Sequence, residues 1–195
     1  GCRVTGVTLS KVQCYWARCA AVRAGVRSRV RILRDDAEQL NFPKGSFDIV
    51  WTIECTEHFF DKPRFLERAA AWLPTGGRLA ICTWLAGEDQ NSERTIQQVR
   101  EVCEGFFCPS LASMEEYRQW LTSAGMVVEW SANLTRQVER TWEICQSRVT
   151  GTGVRWMARL VGRNAVVFLD RFQAIREAYQ TGAMQYGCLV ARKCG

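Results

Sequence analysis

Residues Phe42 to Phe60 read FPKGSFDIVWTIECTEHFF. Pro43, Gly45 and Ser46 make a turn, and the mostly apolar run from Phe47 to Ile53 has the pattern of a central parallel strand, buried on both faces. That strand ends on Glu54, followed closely by Glu57 and by His58, the one histidine of the chain. Carboxylates at the end of a buried strand cost desolvation free energy unless donors or cations meet them. Service as acceptors or acid–base groups at a ligand crevice explains them. A histidine hydrogen-bonded at a helix start explains His58 equally well. An imidazole titrates near neutrality, so His58 is a candidate base.

Working outward, RVTGVTLS (3–10) is a short strand, and Ser10 caps a helix that Gly25 ends. SRVRILRDD (28–36) is a second strand. Asp61 caps a helix running through Leu73, and Gly76 and Gly77 turn the chain into RLAICTWL (78–85), another buried run. This rhythm of strands and helices predicts an α/β sheet with crossover connections. Ligands bind such sheets beyond the carboxyl ends of the strands, which points to a rim bearing Thr8, Asp36, Glu54 and Thr83. Ser10 and Gln13 have the spacing of a capping box, and a Thr and a Gln there can also hold ribose oxygens.

After Leu85 the pattern turns helical. GEDQNSERTIQQVREVCEGFF (87–107) and SMEEYRQWLTSAG (113–125) predict two helices, the second capped by Ser113. MVVEWSANL (126–134) predicts a strand, 135–148 and 154–180 predict long helices, and AMQYGCLVARK (183–193) predicts an edge strand.

The chain has 195 residues, 47% hydrophobic and 24% charged, the composition of one ordinary globular domain. It contains no bilayer-length apolar run and no charged-then-apolar leader, which leads us to expect a cytoplasmic protein with no membrane span. The ten cysteines lie in apolar surroundings without zinc-ligand spacing, so we expect reduced thiols and no metal. The net charge is +6, with Arg18, Arg23, Arg27, Arg29, Arg31 and Arg34 clustered early. A solvated helix and strand face accounts for them, and no nucleic-acid motif accompanies the cluster.

GVTLSKVQ (6–13), the stretch 35–84 from DDAEQLNF to LAICTW, FFCPSLASMEEYRQWLTSAG (106–125), VEWSANL (128–134) and REAYQTGAMQYGCLVARK (176–193) together resemble class I S-adenosylmethionine-dependent methyltransferases. Within them the similarity is to the gamma-tocopherol methyltransferases, kin of sterol methyltransferases and cyclopropane fatty acid synthases. The resemblance implies a Rossmann-like, mostly parallel α/β sheet with a helical cap. It divides the chain into a core (1–85), cap segments (86–125 and 134–182) and last strands (126–133 and 183–193).

It also implies S-adenosyl-L-methionine as cofactor. Thr8, Leu9 and Gln13 match the stretch around its ribose and amino-acid portion, Asp36 and Ala37 the pair that reads adenine, and Trp51, Ile53 and Glu54 the strand passing its methionine half. Glu57 and His58 match an E-H pair at the active-site mouth and are the candidate catalytic residues. Trp84, Ser131 and Asn133 are the candidate substrate contacts, and Phe106, Phe107, Tyr117, Trp120, Trp130, Trp142 and Trp156 are possible pocket walls. The implied acceptor is a small, apolar or aromatic metabolite, a phenol, sterol, alkaloid or polyketide.

The family's glycine-rich loop and first strand are absent from these residues. We therefore expect an incomplete domain, short of a segment of about 30 residues, the size of a βα unit with its connection. A non-catalytic module of the same fold and a nucleic-acid methyltransferase are the alternatives.

Overall fold

The computed structural model describes residues 1–88, 92–149 and 152–195, with backbone alone at 149, 152, 155, 161 and 163–171. The chain forms two compact units, Gly1–Pro43 and Lys44–Gly195.

In the first unit, β1 (Val4–Thr8) pairs in parallel with β2 (Val30–Arg34), and α1 (Lys11–Arg23) crosses between them. Half of the anticipated capping box forms. Ser10 Oγ accepts the Gln13 N–H at 3.2 Å, while the Gln13 side chain takes the Thr8 hydroxyl at 2.7 Å. Two of the clustered arginines serve the fold: Arg18 donates to the Ile32 carbonyl at 2.7 Å and Arg34 to that of Leu9 at 3.5 Å.

The second unit is a four-stranded sheet in the order β3 (Ile49–Ile53), β4 (Arg78–Ala86), β6 (Met184–Lys193), β5 (Met126–Asn133). β3 and β4 are parallel, whereas β6 runs antiparallel to both β4 and β5. The closing strand is thus interior, not the edge its basic end suggested. Leu189 and Ala191 are fully buried between its two partners. Its cationic end is absorbed locally, with Arg192 and Arg78 both bonded to Glu129 at 2.6 and 3.1 Å, and Lys193 donating to the Ala70 carbonyl at 2.7 Å.

Helices flank this sheet. α2 (Lys62–Trp72) begins where Asp61 accepts the Arg64 N–H, and it buries Leu66 and Ala69 completely. α4 (Met114–Ser123) opens on a full Ser113–Glu116 capping box and buries Tyr117 and Leu121. α3 (Glu93–Phe106) and α5 (Thr135–Val149) both pack against α7 (Arg163–Thr181). The long helix anticipated over 154–180 is two: α6 (Thr152–Val161) stops at Gly162, whose φ of 133° no side-chain-bearing residue adopts comfortably. Residues 89–91, inside the helix anticipated from 87, lie outside the described residues; α3 starts at its Ser92 cap.

Because Leu189 fills the interior of the central strand pair, Leu189→Ala is expected to cost about 2 to 5 kcal/mol of stability, read as a lowered urea midpoint at constant slope.

Candidate active site

β3 delivers the chain to the site and then bends sharply. Glu54 has φ 47°, a left-handed backbone costing a non-glycine residue ~1 kcal/mol or more, and its N–H is tied to the Cys82 carbonyl at 2.8 Å. Strain held this way clusters where a structure over-determines a functional turn. The next residues, Thr56–His58, form one 3-10 turn. In such a turn successive side chains point about 120° apart, and the directions taken here are decisive.

Thr56 and Glu57 turn inward and His58 turns out. Tyr117 of α4 donates to Thr56 Oγ1 at 2.8 Å, Thr56 donates to Thr83 Oγ1 of β4 at 3.0 Å, and Thr83 donates to Glu57 Oε2 at 2.8 Å. Every proton in this chain points toward the carboxyl group. Glu57 itself is 0% exposed, and its Oε1 has no partner among the described residues. Burial pushes its pKa up to about 7, aided by the nearby Glu54, against the lowering effects of its backbone hydrogen bond, Thr83 and Lys62. Lys62 is also buried and donates to the Phe59 carbonyl at 2.8 Å and to Ser110 Oγ at 3.3 Å.

His58 lies exposed above this network, with Nδ1 at 3.6 Å from Cys108 Sγ. Burial, with Cys103 and Glu57 beside it, pushes the Cys108 pKa up to about 12, so it remains a thiol. The histidine ring is 6.5 Å from that of Trp84, which begins an aromatic wall. Trp84 meets Phe106 at 5.2 Å and Trp142 at 5.5 Å, and Phe172 closes the group at 6.0 Å from Phe106. The indole Nε1 of Trp84 is buried without a partner among the described residues. Trp84, Phe106 and Phe172 are buried, so this cluster is packed core and only half-buried Trp142 meets solvent at its margin.

The structure gathers Glu54, Glu57, His58 and Trp84 in the second unit. Glu57 is not at a mouth: the turn aims it inward and its 0% exposure closes it to solvent. Trp51 and Ile53 present the other face of β3, 68% and 51% exposed. Ser131 accepts from Arg118 Nη2 at 2.6 Å beside a cavity of about 470 Å³, whereas Asn133 borders a different cavity, of about 500 Å³, and takes the Thr135 N–H at 3.0 Å. Among the aromatics, Phe106 and Tyr117 are buried and Trp142 is half-buried, but Phe107, Trp130 and Trp156 face solvent. Thr56 and Lys62 escaped the sequence reading; only the E-H pair beside them marked the segment.

The first unit holds its own candidate set. Thr8 and Gln13 are bonded to each other, Leu9 is 71% exposed, and half-buried Asp36 gives one oxygen, Oδ1, to the Glu38 N–H at 2.9 Å. Alanine 37 sits in the same turn, half-buried. Hydroxyl, amide and carboxylate groups at strand ends match the hydrogen-bonding needs of a nucleoside. In the second unit the exposed Glu54 carboxylate offers an acceptor for an amine. Taken by itself, the donor set of the first unit fits a nucleoside.

Comparisons with known proteins give the family and the fold. The family model for a methyltransferase domain matches residues 1–81. The chain is 32% identical to 27-O-demethylrifamycin SV methyltransferase of Amycolatopsis mediterranei over 97% of its own length and 68% of that enzyme's. It is 26% identical to the chloroplastic tocopherol O-methyltransferase of Arabidopsis thaliana, spanning 57% of that relative. Among solved structures, geranyl diphosphate methyltransferase in complex with S-adenosylmethionine superposes with a TM-score of 0.79 at 23% identity, covering 99% of this chain and 69% of that one. A cyclopropane synthase from Mycobacterium tuberculosis superposes with a TM-score of 0.83 at 18% identity, covering 98% and 70%. These likenesses show the Rossmann-like class I fold.

A carboxyl group whose pKa rises to about 7 on folding binds a proton in the folded state that the unfolded chain has already lost above its ordinary value of 4.5. Its contribution is whole below the unfolded value and is lost as pH rises through the folded one. Between pH 4.5 and 7 the protein should accordingly lose about 3 kcal/mol relative to Glu57→Gln, read from urea unfolding of both across that range.

Proposed function

The chain belongs to the S-adenosylmethionine-dependent methyltransferases, and from that footing we propose that it serves methyl transfer to a small, apolar or aromatic metabolite in an aqueous cell compartment. The observation that carries this reading is the exposed imidazole of His58, held over a buried hydroxyl-to-carboxyl chain and beside the Trp84 wall. S-adenosylmethionine supplies an electrophilic methyl group when bound; Thr8, Leu9 and Gln13 would meet its ribose and amino-acid portion, Asp36 and Ala37 its adenine, and Trp51, Ile53 and Glu54 its methionine half.

The residues of this chain then do three things. The margin of the aromatic cluster, where Trp142 is half-buried over Trp84 and Phe106, takes up the acceptor molecule and excludes water from its apolar body. His58 receives the acceptor's proton: the tautomer with hydrogen on Nδ1, toward the Cys108 sulfur, leaves Nε2 free as the base. Glu57 works from behind. Buried at 0% exposure, it is a positioning residue that fixes the turn on which His58 stands. Ser131 and Asn133 we place at the edge of the acceptor region, with roles in strand and helix packing as well.

Alignment of donor and acceptor supplies the larger part of such a rate, up to ~7 to 11 kcal/mol, and base assistance about 100- to 10,000-fold. His58→Ala should therefore slow a readily ionised phenol modestly and a carbon acceptor severely, measured as transfer of a labelled methyl group from S-adenosylmethionine. Calorimetric titration with S-adenosylhomocysteine should give unchanged affinity for that variant. Unchanged turnover on every accepted substrate removes His58 from the mechanism.

A further inference from the structure

The helix α6, ten residues from Thr152 to Val161, turns an apolar face to solvent. Trp156, Met157 and Leu160 are 63%, 56% and 69% exposed, while Ala158 between them is buried. At about 100° per residue, Trp156, Leu160 and Met157 fall within a single arc of roughly 100°, with Gly153 inside it and Ala158 opposite. Exposed Arg159 borders the arc beside Trp156. Between Glu143 and Asp170 the sequence contains Arg148, Arg155, Arg159 and Arg163 and no acidic residue.

An exposed apolar arc with a tryptophan at its margin, in a stretch of sequence whose only charges are arginines, has the composition of a helix that lies in the plane of a bilayer surface. We propose that α6 docks this protein on an anionic lipid surface, its three apolar side chains entering the headgroup boundary and the exposed Arg148 and Arg159 meeting lipid phosphates. Ten residues are too few to cross a bilayer, so the helix lies on the membrane. A second copy of the chain fits worse, since face-to-face pairing brings the arginines of both copies together. A nucleic acid would use the arginines and leave the apolar arc in water. The helix packs on α7, which carries Phe172 and Tyr179, so docking brings the apolar cap beside the phase in which apolar metabolites dissolve. That last step alone rests on the function proposed above.

The test is co-sedimentation of the full chain with vesicles of phosphatidylcholine alone or mixed with phosphatidylglycerol. Binding to the mixed vesicles, weakened by salt, is expected, and the triple variant W156S/M157S/L160S should bind about tenfold or more weakly. The variant R148Q/R159Q should lose the preference for phosphatidylglycerol. Quenching by brominated lipid, compared between the wild type and Trp156→Phe, reads the same contact without dismantling the face, and most of the quenching should vanish in the variant. Failure of the wild type to bind, equal binding by the triple variant, or equal quenching overturns the proposal. So does a concentration-dependent dimer that the triple variant abolishes, because the face would then belong to a second copy.

Discussion

One constraint organises the second unit: a carboxyl group has been placed where water cannot reach it. An ionised glutamate in such a setting is expensive unless hydrogen bonds meet it; here Thr83 donates to it directly, at the end of a series that runs from Tyr117 through Thr56. Each comes from a different element, the cap helix α4, the turn after β3 and the strand β4. Tyr117 is fully buried, and in this chain its phenol proton goes to Thr56, so the polarity of the series is set toward Glu57. Glu57 gains its proton as pH falls below about 7, and Oε2 is the oxygen that Thr83 engages. The same series fixes the turn whose third residue, His58, is the one that faces outward.

That arrangement explains why strain is tolerated at Glu54. Its left-handed backbone ends β3 and starts the turn, and the bond from its N–H to the Cys82 carbonyl ties the bend to β4. β4 thus contributes the partner of β3, the hydroxyl for Glu57 and the first ring of the aromatic wall. Three consecutive residues, Cys82, Thr83 and Trp84, serve these three purposes. Alternation along a strand sends Thr83 to one face and its neighbours to the other, yet all three meet the loop after β3 because that loop wraps the strand's end.

Much of this was legible in the sequence. Apolar runs bounded by Pro and Gly located the strands, and Ser10, Asp61 and Ser113 marked helix starts that the structure retains as caps. The E-H pair marked the site. What local pattern could not carry was anything set by distant pairing. The last strand resembled an edge because its cationic end suits solvent, and its interior place depends on partners far away in sequence. Glu57 read as a carboxylate meeting a ligand at the site's mouth, because nothing in TIECTEHFF states which way a short 3-10 turn points its side chains. Trp156 read like its fellow aromatics, yet it faces water while Trp142 helps to form the wall. The break between α6 and α7 rests on a single glycine inside an otherwise continuous helical pattern.

The central claim is that Glu57 is a buried carboxyl group held by a chain of hydroxyl donors. Site-specific carbon NMR of the Glu57 carboxyl group, followed across pH in the folded protein, tests it most directly. A midpoint near 7 that moves upward when Thr83 is replaced by valine is the predicted result. A midpoint in the ordinary glutamate range, unmoved by that replacement, contradicts the account.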